Sequence, residues 1–398
     1  MASRSKMTPL ELRASIGLSG IFGLRLLGMF VILPVFAIYA ERLPGGDNLT
    51  LVGIAIGAYG LTQAILQIPF GWWSDRIGRK PVVYAGLVIF AIGSFVAALA
   101  PDIYVVIIGR ILQGAGAISA AVIAMTADLT REEQRAKAMA MIGSTIGVSF
   151  ALSLIASPWL DRVIGVPGIF ALTGVLALGA MVVMWRYIPD APRVPPAPGR
   201  ALKDFWNVLM DPQLARLNWG IFALHAVLMA LFIMVPFGLR DAGLAVADHW
   251  KVYLPVMLGS FVLMLPPIMQ AGEPVLLRRW FIAAVAVLLA SHLALPWLDG
   301  SLWLLSLFLL AFFVPFNVLE AMLPTLTTRL APAHAKGTAI GLYSTIQFFG
   351  TFLGAAAGGF LYQHWGAAGV ITLDLVLLAI WLILALGMRV PALPGGRV

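Results

Sequence analysis

The sequence predicts an all-α membrane protein, with twelve transmembrane helices in two pseudo-symmetric six-helix bundles. Three observations predict it. The 398 residues are 61% hydrophobic and only 11% charged, with a mean hydropathy of +0.96, more apolar surface than a soluble core can hide. Apolar stretches long enough to cross a bilayer, roughly 20 residues each, recur at 14–41, 49–73, 81–100, 103–128, 137–159, 166–187, 217–241, 249–270, 280–298, 302–328, 337–363 and 367–389. A polar, proline-rich segment divides them six and six.

That segment, 188–216, contains Pro189, Pro192, Pro195, Pro196 and Pro198. After them Leu202, Phe205, Trp206, Leu209 and Met210 recur at helical spacing among Lys203, Asp204 and Asp211. This pattern predicts a stiff linker and a short amphipathic helix lying at the membrane interface. The expected organisation is a bundle over 1–187, the linker over 188–216 and a second bundle over 217–398.

The net charge of +8 suggests a nucleic-acid partner only until the charges are placed. With the amino terminus inside, Arg42, Arg162, Arg240 and Lys251 fall outside and Arg25 and Arg110 fall within spans. The remaining twenty of the 26 Lys and Arg residues fall inside. Such a bias orients a polytopic protein with both termini cytoplasmic, so the basic surplus reports topology and no nucleic-acid partner is expected. The first apolar run is too long for a signal-peptide core and no A-x-A site follows it. The absence of cysteine excludes disulfides and thiolate metal sites.

The halves look related. Leu24, Arg25 and Met29 align with Leu224, His225 and Met229, and Ala136, Lys137 and Ala140 with Ala335, Lys336 and Ala339, at nearly one offset of half the chain. Paired repeats characterise secondary transporters, whose substrate site lies near the midplane between them.

The most informative string is Gly71-Trp72-Trp73-Ser74-Asp75-Arg76-Ile77-Gly78-Arg79-Lys80, between the second and third spans. It predicts an aqueous loop of about seven residues, with Gly78 permitting a positive φ. Asp75 and Arg79, four apart, pair if the loop coils, and Asp128, which ends the fourth span, can join them. The plainer reading is a basic anchoring loop.

G-x3-D-R-x-G-R-K resembles the loop 2–3 signature of the major facilitator superfamily, and twelve spans in two halves match that fold over the whole chain. Leu26-Leu27-Gly28-Met29-Phe30, Gly109-Arg110-Ile111-Leu112-Gln113-Gly114, Asp128-Leu129-Thr130-Arg131-Glu132, His249-Trp250-Lys251-Val252-Tyr253-Leu254 and Lys336-Gly337-Thr338-Ala339 narrow the resemblance to YajR-type members of the proton-coupled drug antiporters. It implies a charge relay of Asp75, Arg79 and Asp128, with Gly71, Arg76, Gly78 and Lys80 in the same motif, holding one transport state. It also assigns Arg110 to proton coupling. Two departures stand out. YajR-type members carry a soluble domain after the twelfth helix, which this chain is expected to lack. The fifth-helix antiporter signature, a glycine-proline and a glycine pair, is replaced by Gly143-Ser144-Thr145-Ile146-Gly147-Val148-Ser149-Phe150.

Ionisable side chains inside spans are costly and usually face the bundle interior. Among them are Arg25, Arg110, His225, Glu320 and Asp374. Arg25, Arg110, His225 and Glu320 are the proton-coupling candidates, with Arg25 alternatively tying to backbone carbonyls and Glu320 alternatively a hydrogen-bond hub. Asp374 reads as structural. The candidate substrate lining is soft and aromatic: Met29, Phe30, Gln113, Phe232, Tyr253, Phe313, Phe316, Asn317, Tyr343 and Gln347. Such surfaces adapt to varied amphiphiles, although each of these residues also suits ordinary packing. Glycine ladders at Gly53 and Gly57, at Gly143 and Gly147, and at Gly350, Gly354 and Gly358 predict close helix contacts.

The expected function is proton-coupled efflux of small amphiphilic compounds by alternating access, from a monomer in the inner membrane. Protons are the coupling ion, and no cofactor or metal is expected. The alternative on the same fold is a proton-coupled importer of a small metabolite. Gly17-Leu18-Ser19-Gly20 matches the G-x-S-G of intramembrane serine proteases, but all five histidines lie in the second half and no H-E-x-x-H occurs. A non-transporting receptor or scaffold is the remaining alternative.

Overall fold

The computed structural model describes residues 6–191, 201–271, 273–297, 300–332 and 335–389. The described residues form helices and connections, with no strand among them. An apolar chain in lipid has no water to satisfy its backbone, so helices are the local solution. In order they are α1 (Pro9–Phe30), α2 (Leu33–Ala40), α3 (Leu49–Ile77), α4 (Arg79–Ala98), α5 (Ile103–Ala115), α6 (Ser119–Asp128), α7 (Glu132–Tyr187), α8 (Ala201–Met210), α9 (Pro212–Asp241), α10 (Trp250–Leu263), α11 (Leu265–Gln270), α12 (Pro274–Ala294), α13 (Leu302–Leu330) and α14 (Lys336–Leu386).

Helix starts follow local chemistry. Thr8 and Glu11 form a reciprocal capping box ahead of Pro9, satisfying backbone donors that the first turn leaves unpaired. The Asp102 side chain caps α5, and Asp211 followed by Pro212 opens α9. Ten helical segments among the described residues are long and apolar enough to cross a membrane. Two of them, α7 and α14, are 56 and 51 residues long, each broken by a glycine of non-helical conformation, Gly165 (φ 68°) and Gly366 (φ 61°). A helix of 50 residues is more than twice the length a bilayer needs. Dividing each at its glycine makes twelve spans.

The structure corrects the expected seven-residue loop. α3 runs through Ile77 and α4 starts at Arg79, leaving Gly78 (φ 103°) as the whole connection. Asp75 and Arg76 therefore occupy the last turn of α3, and Arg79 and Lys80 the first turn of α4. Only glycine takes that φ without steric cost.

The chain forms two compact units, one of residues 1–47 and 61–197, the other of 48–60 and 198–398. In the first, α1 packs on α7, and α4 packs on α5 and α7. Gly86 and Gly93 of α4 meet Gly116 and Gly109 so closely that an added Cβ on any of the four would strike a facing atom. Gly23 of α1 lies against Thr145 and Ser149. In the second unit α9 lies along α14, with Gly350, Gly354 and Gly358 against the backbone at Phe222, Ala226 and Ala230. The start of α3 joins this unit because Gly53 and Gly57 let its backbone reach that of Ala355 and Phe352. The ladder at Gly143 and Gly147 is the exception. A Cβ there meets nothing within 4 Å, so no close helix contact uses it.

The prolines at 192, 195, 196 and 198 and the side chains of Leu202, Lys203 and Asp204 lie outside the described residues. Beyond them α8 docks on the second unit. Val208 is buried with Leu214, Ala331, Ala335, Ala339 and Leu342, with Phe205 and Leu209 packed alongside, while Trp206 and Met210 stay exposed.

Candidate functional site

Four polar centres built from expected site residues stand out among the described residues, three in the first unit and one in the second. The first brings Asp75, Arg79 and Asp128 together. Arg79 pairs with Asp75, receives further support from the Ser74 hydroxyl at 2.8 Å, and its Nε donates to Asp128 Oδ2 at 2.9 Å. All three charges sit at the wrong pole of their own helix. Asp75 and Asp128 end α3 and α6, where the dipole favours cations, and Arg79 opens α4, where it favours anions. Each is unfavourable alone, and pairing relieves all three. The other motif residues do different things. Arg76 stacks over the Trp72 ring at 3.5 Å, and Lys80 Nζ reaches Asp190 at 3.1 Å. The Gly71 carbonyl accepts from the Ser74 hydroxyl, and Gly78 makes the turn.

The second centre is Arg110, fully buried on α5. Its Nη1 donates to Gln113 Oε1 at 2.8 Å and lies 3.4 Å from the Gly28 carbonyl. Gln113 Nε2 donates to Ser94 Oγ at 2.8 Å. The glycine crossing of α4 and α5 brings Ser94 within reach. Gln113, one of the expected lining residues, is wholly buried here and accepts from Arg110.

The third centre is Arg25 of α1, 2% exposed. It hydrogen-bonds Gln63 and, through Nη1, Ser119 Oγ at 2.8 Å, and Gln63 Nε2 reaches Gln67 at 3.2 Å. Side chains of α3 and α6 thus hold Arg25, where a backbone tie was one expectation. The signal was legible: Gln63 and Gln67 stand four apart in an apolar run and share a helix face.

The fourth centre, in the second unit, joins three expected residues. Gln347 Nε2 lies 2.8 Å from His225 Nε2, and Glu320 Oε2 lies 3.9 Å from the same nitrogen. With the amide donating, the imidazole is neutral and its proton sits on Nδ1, facing the Ile221 carbonyl at 3.3 Å. Glu320 Oε2 is buried without a hydrogen-bond partner among the described residues. Phe316 closes one side, 6.1 Å from the imidazole between ring centres.

The remaining expected lining is packed inside the units. Phe30 meets Phe150 edge-on, and Met29 is buried nearby on α1. Phe232 faces Tyr253, Phe313 meets Phe312 and Phe316, and Asn317 donates to Ser260 Oγ at 2.9 Å. Tyr343 is buried, its hydroxyl without a partner among the described residues.

One pair escaped sequence reading. His292 Nε2 of α12 lies 3.6 Å from Asp374 Oδ2 of α14, both fully buried. Phe308 and Phe312 cover the imidazole, and its Nδ1 faces the Leu288 carbonyl at 2.8 Å. The available signal was a lone histidine in one apolar run and a lone aspartate in another.

A family model described as Major Facilitator Superfamily matches residues 18–355, most of the chain. The chain belongs to the Major Facilitator Superfamily. It is 43% identical over 388 residues to the inner membrane transport protein YajR of Escherichia coli (strain K12), covering 97% of this chain and 85% of that protein. It is 24% identical over 358 residues to the quinolone resistance protein NorA of Staphylococcus aureus (strain MRSA252), covering 85% and 87%. A bacterial homologue of the human lysosomal transporter Spinster, in an inward-facing and occupied crystal structure, matches with a TM-score of 0.74 at 16% identity over 95% of this chain and 97% of that one. That likeness concerns the fold alone. The chain is therefore an integral membrane transporter of this superfamily, related to YajR, and not an enzyme. The Ser19 hydroxyl is buried with no hydrogen-bond partner among the described residues.

Proposed function

We propose that this transporter exports small amphiphilic compounds from the cytoplasm in exchange for protons, by alternating access of two six-helix bundles. It acts as a monomer in the inner membrane, with both termini cytoplasmic. The observation that carries the proposal is the Glu320–His225–Gln347 centre. A carboxylate with a buried, unpartnered oxygen stands 3.9 Å from an imidazole whose Nε2 is held by an amide. Taking up a proton there changes the charge of a water-poor site, and the cost of burying charge is what couples protonation to conformation. One proton charge crossing the membrane supplies about 2.3 kcal/mol per 100 mV, enough to bias two conformers tens-fold. Arg110 and Arg25 complete the proposed coupling set. Asp75, Arg79 and Asp128, in the motif of Gly71, Arg76, Gly78 and Lys80, form the proposed conformational relay. Met29, Phe30, Gln113, Phe232, Tyr253, Phe313, Phe316, Asn317, Tyr343 and Gln347 are the proposed substrate surface. The resistance named for NorA supports an amphiphilic drug-like substrate.

The test is transport in inverted vesicles with an imposed pH gradient and a panel of fluorescent lipophilic cations. Acidifying the vesicle interior should drive accumulation, and collapsing the gradient should release it. Substrate uptake into right-side-out vesicles from an acidic exterior, with no accumulation in inverted ones, would replace the exporter with the proton-coupled importer of a small metabolite.

A further inference from the structure

We infer that the amino-terminal end of α1 and the carboxy-terminal end of α7 form a binding site for an anionic phospholipid of the surrounding bilayer. A groove of about 500 Å³ runs between these helix ends, with Leu12, Ile16 and Val183 along its wall and Arg13 and Tyr187 at its mouth. Gly17, also part of the lining, lets the Ile188 side chain pack against α1, since a Cβ there would clash with it. The wall is aliphatic and partly exposed, as an acyl-chain contact requires. The mouth is cationic. The Arg13 guanidinium lies 5.2 Å and that of Arg186 5.7 Å from the centre of the same Tyr187 ring. Arg13 also donates to the Arg186 carbonyl at 2.8 Å, which fixes its direction.

Neither arginine makes an ion pair with a carboxylate among the described residues, whereas Arg79, Lys80 and Arg131 in the same unit all do. Arg13, which lines the groove, and Arg186, which shares the Tyr187 ring with it, form a pair of guanidiniums with no carboxylate partner among the described residues, complementary to a phosphate diester carrying acyl chains. Choline headgroups cancel that charge, so the site discriminates by headgroup. This inference stands independently of the proton-coupled export reading.

The test uses the full-length protein in nanodiscs of phosphatidylcholine, titrated with phosphatidylglycerol, and reads bound lipid by native mass spectrometry and apparent Tm. The wild type should retain phosphatidylglycerol with a preference on the order of tenfold over phosphatidylcholine. R13Q/R186Q should abolish the preference, while R13K/R186K keeps most of it. V183W, which fills the groove and leaves both arginines in place, should also lose the lipid. Equal retention of the two lipids, or an unchanged preference in R13Q/R186Q, overturns the site. If V183W retains phosphatidylglycerol, or millimolar inorganic phosphate raises Tm as much as the lipid does, the arginines bind a free anion and the groove proposal fails.

Discussion

Arg79 reaches from the first turn of α4 to Asp128, the last residue of α6, its Nε 2.9 Å from Oδ2 across 49 positions of sequence. The side chains are only 15% and 17% exposed, whereas Asp75, on the other side of Arg79, is 41% exposed. The more shielded carboxylate holds the guanidinium more firmly, because solvent screens the exposed pair.

Asp128→Asn should therefore lower stability by about 1–2 kcal/mol and Asp75→Asn by less than about 1 kcal/mol. Arg79→Gln combined with Asp128→Asn should cost less than the two changes summed, since the residues are coupled. Thermal unfolding of the purified protein measures all four. Equal losses from the two aspartates would contradict the exposure argument.

Arg110 is oriented by Gln113, which is in turn held by Ser94. Arg110→Ala should abolish proton-linked flux, and Gln113→Leu should reduce it about tenfold or more while leaving Arg110 charged, as misplacing a functional group does. Substrate binding without a gradient should survive in Gln113→Leu. Normal flux in either variant removes Arg110 from the coupling set.

Glu320→Gln keeps the shape of the fourth centre and removes its carboxylate. The wild-type rate should vary with pH across the titration of this centre, and the variant's should be flat over the same range. Gln347→Leu frees His225 Nε2 and should shift the wild-type profile along the pH axis without flattening it. An unaltered profile in Glu320→Gln would exclude the carboxylate as the proton carrier.

The glycines separate into two groups by what faces them. Gly354→Ala places a methyl group on the backbone of Ala226 and should destabilise by about 2 kcal/mol or more, because close-packed helices have no room to yield. Gly143→Ala meets open space and should stabilise by about 0.5–1 kcal/mol through helix propensity alone. Paired thermal melts check the contrast.

Removing one partner of the His292–Asp374 contact should cost about 1–3 kcal/mol, as leaving a buried polar group without its neighbour does, whereas His292→Leu with Asp374→Leu should be close to neutral. If this pair serves structure alone, the double variant transports at the wild-type rate. Loss of flux in a stable double variant would place the pair in the transport machinery.

Some of this protein was legible along the chain, because bilayer thickness acts on consecutive residues. Runs of about 20 apolar residues, the break at 188–216, the G-x3-D-R-x-G-R-K string and the few ions inside spans are all local facts, and the ions do lie in the protein interior. Contacts between helices are different. Whether Asp75 and Arg79 meet across a loop or across a single glycine depends on how far α3 continues. That Gly93 meets Gly109 while Gly143 meets nothing depends on crossing position and helix rotation. The crossing of α4 and α5 brings Ser94 to Gln113, and the packing of α12 on α14 brings together His292 and Asp374, two residues with no shared motif. Hydropathy constrains each helix's composition but leaves its rotation about its own axis nearly free, and only side-chain packing in three dimensions settles which polar groups find one another.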